Sequence, residues 1–340
     1  MHLNYARASQ KLQDATVPSH IEKLIQHKTR AKSIEFEHTL QSLWSGYGSI
    51  DRYTLSGCAM PSVIVKHVRL PDAKRHPRGW DTDLSHQRKL KSYQVETCWY
   101  QHYAAECDAH CRVPAILALE KYGDETVMLM EDLDASGFSL RKHSADLQDM
   151  NNCLSWLAAF HARFMQRKPS GLWSVGSYWH LATRPDEFNA MPTGALKDHA
   201  AKIDQLLNNS AYKTIIHGDA KLANFCFSAT GEQVAAVDFQ YVGGGNGMKD
   251  VAYFISSCLN ENECAHYEQE LLDIYFQHLS HHLRRYQPDI DASRVEQVWR
   301  PLYALAWTDF FRFLQGWSPG HWKIHGYSQQ LADKVIRDLT

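Results

Sequence analysis

The segment from Ile215 to Gln240 constrains this 340-residue chain more than any other, because it sets His217-Gly218-Asp219 just before Asn224 and follows with Asp238-Phe239-Gln240. The apolar runs around it, Thr214 to Ile216, Phe225 to Phe227 and Val234 to Val237, predict short buried strands. The polar residues then fall at strand ends and in a tight loop, so that two carboxylates and an amide converge on one cleft. A lone His-Gly-Asp is only a turn signal. The full spacing is what metal-assisted phosphoryl transfer needs. Asp219 is placed to take or orient the proton of an attacking hydroxyl, and Asn224 and Asp238 offer hard oxygen ligands to Mg2+. Lys221 is placed to neutralise charge building on the γ-phosphoryl group of ATP.

On these residues the chain resembles the kinase-like small-molecule phosphotransferases: aminoglycoside phosphotransferases, choline kinases and the ecdysteroid-kinase-like group. The shared pattern is His-Gly-Asp, then Asn, then an Asp-Phe turn, matched here by His217, Gly218, Asp219, Asn224, Asp238 and Phe239. Gln240 after Asp-Phe leans toward the ecdysteroid-kinase-like branch. Asp250-Val251-Ala252-Tyr253-Phe254 is similar to the segment that opens the next helix in that branch, where the resemblance implies that the Asp supports the catalytic loop. The likeness spans roughly residues 40 to 320, with only these motifs sharp. It implies an α+β, protein-kinase-like two-lobed fold. An N-terminal antiparallel β-sheet lobe with a helix spans 1–130, a hinge 131–134, and a larger, mainly helical lobe 135–340.

A kinase-like fold needs an ATP clamp in its first lobe. Val63-Ile64-Val65-Lys66 is a β-branched run ending in a lysine able to pair with the α- and β-phosphates. Glu96, in a helical segment from Ser92 to Ala105, is the expected partner of Lys66. Gly46, Tyr47, Gly48 and Ser49 form a turn whose amides are expected to approach phosphate, although the full glycine-rich pattern is missing and the turn from Ser56 to Pro61 competes for that role. The strand runs Ala115 to Leu119 and Thr126 to Met130 flank a Gly123-Asp124 turn, and the hinge follows, with Glu131 and Leu133 set to meet the adenine edge. Ile21, Leu24 and Ile25 predict a short amphipathic helix near the start, and the stretch from Pro71 to Leu84 reads as a loop.

A hydrophobic content of 44% suffices for sizeable cores, and a net charge of -2 gives no electrostatic case for nucleic acid or an anionic membrane. The first residues lack the apolar core of a signal peptide, and no run is long enough to span a membrane, so the expected location is cytoplasmic. Eight cysteines do not make a disulfide framework, and free thiols are expected. The spacing of Cys98, His102, Cys107, His110 and Cys111 does not match paired zinc-ligand patterns.

Asn152 to Met165 predicts a helix in which His161 is buried and hydrogen-bonded. Downstream of Asp250 the chain reads as helical, with a capping box at Ser293 to Glu296 and a helix start at Pro301. Trp307, Phe310, Phe311 and Leu314 form a stripe whose plain reading is core packing. The resemblance implies that the acceptor sits near the late helices. Trp307, Asp309 and Phe311 are candidates for one wall and Tyr178 for the other, an arrangement suited to an ammonium compound or to an apolar hydroxylated one.

The expected activity is direct transfer of the γ-phosphoryl group to a hydroxyl of a small molecule, an amino-alcohol, aminoglycoside, steroid or similar compound, with no obligate protein partner. A protein kinase is disfavoured by His-Gly-Asp, by Asp-Phe-Gln and by the lack of an Ala-Pro-Glu segment. The competing reading is a catalytically inactive, nucleotide-binding pseudokinase.

Overall fold

Helix α1 (Ser19–Thr29) turns Ile21, Leu24 and Ile25 to one side, as their helical spacing requires, and buries all three. The structure, a computed structural model, describes residues 18–43, 46–69 and 83–340. The first seventeen residues, Trp44-Ser45 and the expected loop from Pro71 up to residue 82 lie outside the described residues. The chain divides into two compact units, Met1–Arg75 with Ile116–Ala135, and His76–Ala115 with Ser136–Thr340.

The first unit is built on an antiparallel sheet of β1 (Ser33–Ser42), β2 (Gly48–Ser56), β3 (Ser62–Val68), β4 (Ile116–Tyr122) and β5 (Glu125–Glu131), in the order β1-β2-β3-β5-β4. The polar edge strand β1 breaks its register twice, as edges that avoid further pairing do. Central β3 is buried on both faces. Val63 and Val65 pack with Ile21, Leu24 and Ile25 of α1 and with Val127 and Leu129, so alternation sends Lys66 to the opposite face. Each of the three α1 side chains contributes about 2 kcal/mol by burial, and Ile25→Asp would undo the contact. His67 shares the α1 face, where its Nε2 lies 2.8 Å from Glu125 Oε2 and His20 Nε2 lies 3.5 Å from the same oxygen.

The second unit is mainly helical: α2 (Asp83–His102), α3 (Leu147–Arg163), the short α4 (Pro185–Ala190) and α5 (Ala195–Asp198), then α6 (Ala200–Asn208). Two small antiparallel pairs follow, β6 (Thr214–Ile216) with β9 (Gly243–Gly245), and β7 (Phe225–Phe227) with β8 (Val234–Ala236). The unit closes with α7 (Met248–Cys258), α8 (Glu261–Tyr286), α9 (Ala292–Trp299), α10 (Leu302–Trp317) and α11 (Gly326–Leu339). The start of α3 is fixed by a capping box between Asp146 and Asp149. β9 can lie against the segment from Trp173 to Gly176 only because it is glycine. A Cβ on Gly243 would stand 2.3 Å from the carbonyl oxygen of Trp173.

Three expectations shift. Residues 83–102, expected in a first lobe ending at 130, group with the second unit, because α2 is tied to the turn after β8: Trp99 stacks on Phe239 at 4.6 Å, and Lys89 Nζ donates to Gln240 Oε1 at 2.8 Å. α2 also starts nine residues before Ser92. The helix expected from a capping box at Ser293 is capped instead by Asp291, whose carboxylate accepts from the N–H groups of Ser293 and Arg294. A carboxylate two residues earlier takes the cap in place of the hydroxyl.

Candidate active site

β6 delivers the chain into His217-Gly218-Asp219, and one buried carboxylate shapes that turn. Asp250, in the first turn of α7, accepts from the N–H of His217 at 2.6 Å and of Gly218 at 2.9 Å. His161 Nε2, from α3, lies 3.1 Å from the same carboxylate, and His161 Nδ1 lies 2.8 Å from the hydroxyl of Tyr275. All three donors hold one side chain, so the loop geometry is set from behind. Gly218 has φ +79°, and a Cβ there would sit 2.1 Å from the carbonyl oxygen of Tyr241. His217 completes the turn, accepting the Asp219 N–H at Nδ1 (3.2 Å) while Nε2 donates to the Val237 carbonyl (3.0 Å).

Asp219 is buried and carries two partners on Oδ2: Lys221 Nζ at 3.1 Å and Asn224 Nδ2 at 3.1 Å. Asn224 Nδ2 also donates to the Asp219 carbonyl at 2.7 Å, which leaves Oδ1 as the end of that amide able to face a cation. Burial raises the Asp219 carboxyl above its ordinary range; the Lys221 ammonium opposes this and the Asp238 carboxylate adds to it. Burial lowers the Lys221 ammonium, but Asp219 and Asp238 outweigh it and hold the proton on. Asp238 takes the left-handed conformation at φ 69°, a conformation Asp tolerates better than most residues.

Phe239 and Gln240 fix Asp238 from the other side. Phe239 is fully buried against Trp99 and against His217, whose ring centroid is 4.7 Å away. Gln240 gives its side-chain oxygen to Lys89 and to Ser92 (3.3 Å), and its carbonyl accepts from Trp173 Nε1 at 2.8 Å. Glu96 is buried on α2, where its charge and that of Asp238 both act on Tyr100.

In the first unit, Lys66 is buried and pairs with Ile50, while Gly48 pairs with Val68 and Thr54 with Ser62. That register puts the turn of Gly46, Tyr47, Gly48 and Ser49 at the Lys66 end of β3, about 7 Å along the strand, against about 13 Å for the turn at Ser56 to Pro61. The Ser49 hydroxyl donates to Asp51 Oδ2 at 2.6 Å. Glu131 ends β5, and Leu133 is buried beyond it. Asp132 between them accepts from Ser62 Oγ at 2.7 Å and pairs with Arg52 at 2.9 Å, and Arg52 also binds Asp134. This anchoring of the segment after β5 had no local sequence signal.

The acceptor candidates divide. Trp307, Asp309 and Phe311 are core residues: none is more than 1% exposed, Trp307 donates to Ser328 Oγ at 2.9 Å, and Asp309 is paired with Arg312 at 2.9 Å and Lys249 at 3.8 Å. The stripe is the packing face of α10, so the wall expected from these three residues does not form. Tyr178 does stand at the site, half-buried, with its ring 5.4 Å from that of Tyr253, whose hydroxyl interacts with Asp219. Burial and then the Asp219 charge push the Tyr178 phenol up.

The ecdysteroid kinase-like family model matches residues 73–170 and 180–287, more than half of the chain. The chain belongs to the ecdysteroid kinase-like family. It is therefore a kinase-like small-molecule phosphotransferase, and its fold is the protein-kinase-like one. Among solved structures it is similar to the amicoumacin kinase hAmiN in complex with AMP-PNP, Ca2+ and its ligand, with 12% identity, 90% of this chain and 93% of that one covered, and a TM-score of 0.53. It is also similar to choline kinase from Cryptosporidium parvum, with 10% identity, 94% and 93% covered, and a TM-score of 0.52. At such identities the likeness reports fold. No curated protein matches the chain in sequence. Among the described residues no helix is long and apolar enough to cross a membrane, and all eight cysteines are free thiols.

Proposed function

We propose that this family member transfers the γ-phosphoryl group of Mg-ATP to a hydroxyl of a small molecule, with Asp219 as the base. The observation that carries the reading is the Asp219 carboxylate itself. It is buried, held by Lys221 and Asn224, raised toward the neutral form, and fixed on a loop that Asp250 supports from behind. The acceptor O–H gives its proton to Asp219 as its oxygen bonds to the γ-phosphorus; the bond from that phosphorus to the β-bridging oxygen breaks, leaving ADP. Lys221 neutralises charge on the transferring group.

Asn224 Oδ1 and the Asp238 carboxylate fit a hard cation, being oxygen donors beside a second carboxylate. Magnesium held there would screen the phosphate charge. Lys66, Glu96 and the amides of Gly46 to Ser49 are assigned to the triphosphate, and the backbone of Glu131 and Leu133 to the adenine. The nucleotide and divalent ion in the amicoumacin kinase complex support this assignment. An intact base, amide and second carboxylate do not favour the inactive reading.

The test is ATP consumption with magnesium against a panel of hydroxyl compounds, with Asp219→Asn as the blank. One compound should drive ADP formation in the parent protein alone. A protein whose melting temperature ignores Mg-ATP would overturn the reading.

A further inference from the structure

Lys323, in the turn between α10 and α11, is 8% exposed, and its ammonium lies over three aromatic rings: 4.6 Å from the centroid of Tyr253, 5.2 Å from Phe310 and 5.5 Å from Trp322. Among the described residues the ammonium has one hydrogen bond, to Ser256 Oγ at 3.3 Å, and no carboxylate within ion-pair distance. A lysine enclosed this way is costly to keep charged, and burial lowers the ammonium to about 8. The cluster is part of the site: Tyr253 interacts with Asp219 and Tyr178, and Asp219 and Lys221 both act on the Lys323 charge. One of its three rings faces solvent, Trp322 being 58% exposed.

Three faces of electron-rich ring around one point make a cation site. Here the chain's own ammonium fills it. The acidic groups behind the cluster are taken as well: Asp309 by Arg312 and Lys249, Glu187 by Arg184 at 3.0 Å, and Asp204 by His180 at 3.2 Å. Asp219 is assigned to the acceptor hydroxyl.

We infer that Lys323 is a specificity-determining residue of the acceptor site, its ammonium occupying the cation position among Tyr253, Phe310 and Trp322, so that hydroxyl acceptors without positive charge are taken and ammonium alcohols are refused. The inference rests on the reading of Asp219 as the acceptor-facing base. Of the two acceptor types that the aromatic content of the late helices left open, an ammonium compound and an apolar hydroxylated one, it favours the second.

Choline and its uncharged isostere 3,3-dimethylbutan-1-ol separate charge from shape. Titrated into the full chain and followed by ligand-observed NMR, the isostere should bind at least about tenfold more tightly than choline. In Lys323→Ala the order should invert, and adding Trp322→Ala should remove the gained choline binding. Lys323→Met, which fills the cage without charge, should bind choline no better than the parent. Choline binding to the parent as tight as the isostere, failure of either alcohol to bind, or an unchanged order in folded Lys323→Ala would each overturn the inference. The parent measurement decides the matter even where Lys323→Ala does not fold. The shift in melting temperature with Mg-ATP, read on the same samples, reports on the phosphotransfer reading separately.

Discussion

His161 Nε2 and Asp250 Oδ2 lie 3.1 Å apart with neither side chain exposed to solvent. The same carboxylate holds the N–H groups of His217 and Gly218, so one side chain couples α3, α7 and the loop that carries Asp219. Asp250→Ala leaves an imidazole and two amides without their acceptor and should cost about 3–5 kcal/mol, read by urea unfolding. Asp250→Asn should be milder in stability but still lower turnover, since an amide cannot accept from all three donors. Unchanged stability and turnover in both variants would show that the loop stands without Asp250.

Asp219→Asn keeps the size of the side chain and removes the carboxylate proposed as the base. Transfer should fall by about 10²–10⁴ while the thermal shift with Mg-ATP persists. If Asp219 is the base, its ionised form is the active one, and because burial raises its carboxyl, kcat/KM should decline on the acid side from a pH above the ordinary carboxylate range. A flat acid limb, or near-normal transfer by the variant, would remove Asp219 from the role.

Asp309 separates a packing role from an acceptor-binding one. Asp309→Ala strands the buried charges of Arg312 and Lys249 and takes an acceptor from Trp179 Nε1, so stability should drop by about 3–5 kcal/mol. A variant that melts like the parent but binds acceptor poorly would restore Asp309 to the pocket.

His282 predicts an acid-side loss of stability. It is buried, its ring stacks on Tyr286, and burial, with His110, His281 and His278 nearby and Asp108 opposing, lowers it to about 4. The unfolded chain takes up this proton near pH 6.5, while the folded chain refuses it until about pH 4. Stability is therefore fully present above pH 6.5 and falls toward pH 4, with a slope from this group of at most about 1.4 kcal/mol per pH unit. His282→Gln should flatten the curve in that window; equal slopes in both proteins would exclude the group.

Local pattern carried far in this chain. Three apolar runs placed β6, β7 and β8 to within a residue, because each is short, wholly buried and bounded by polar turns. Alternation along Val63 to Lys66 fixed the face of the lysine, and strand register shows the turn of Gly46 to Ser49 to be the nearer of the two glycine turns to it. What stayed hidden depends on pairs distant in sequence. Gln240 meets Lys89 across 151 positions, and that contact draws α2 to the second unit. Lys323 has only Trp322 beside it in sequence; the other two rings of its cage, Tyr253 and Phe310, come from two other helices. The α10 stripe carried two readings, since Trp307 and Phe311 repeat at a spacing that packing and ligand binding share, and their burial bears out the plain one, packing.

The Cβ clash at Gly243 with the Trp173 carbonyl also bears on how this gene can drift. Every amino-acid replacement at a glycine codon adds at least that one carbon, and here the obstacle is main chain that a rotamer change does not move. No replacement at this codon is a neutral step, so Gly243 should stay fixed in functional copies while the exposed, side-chain-tolerant positions of β1 vary around it.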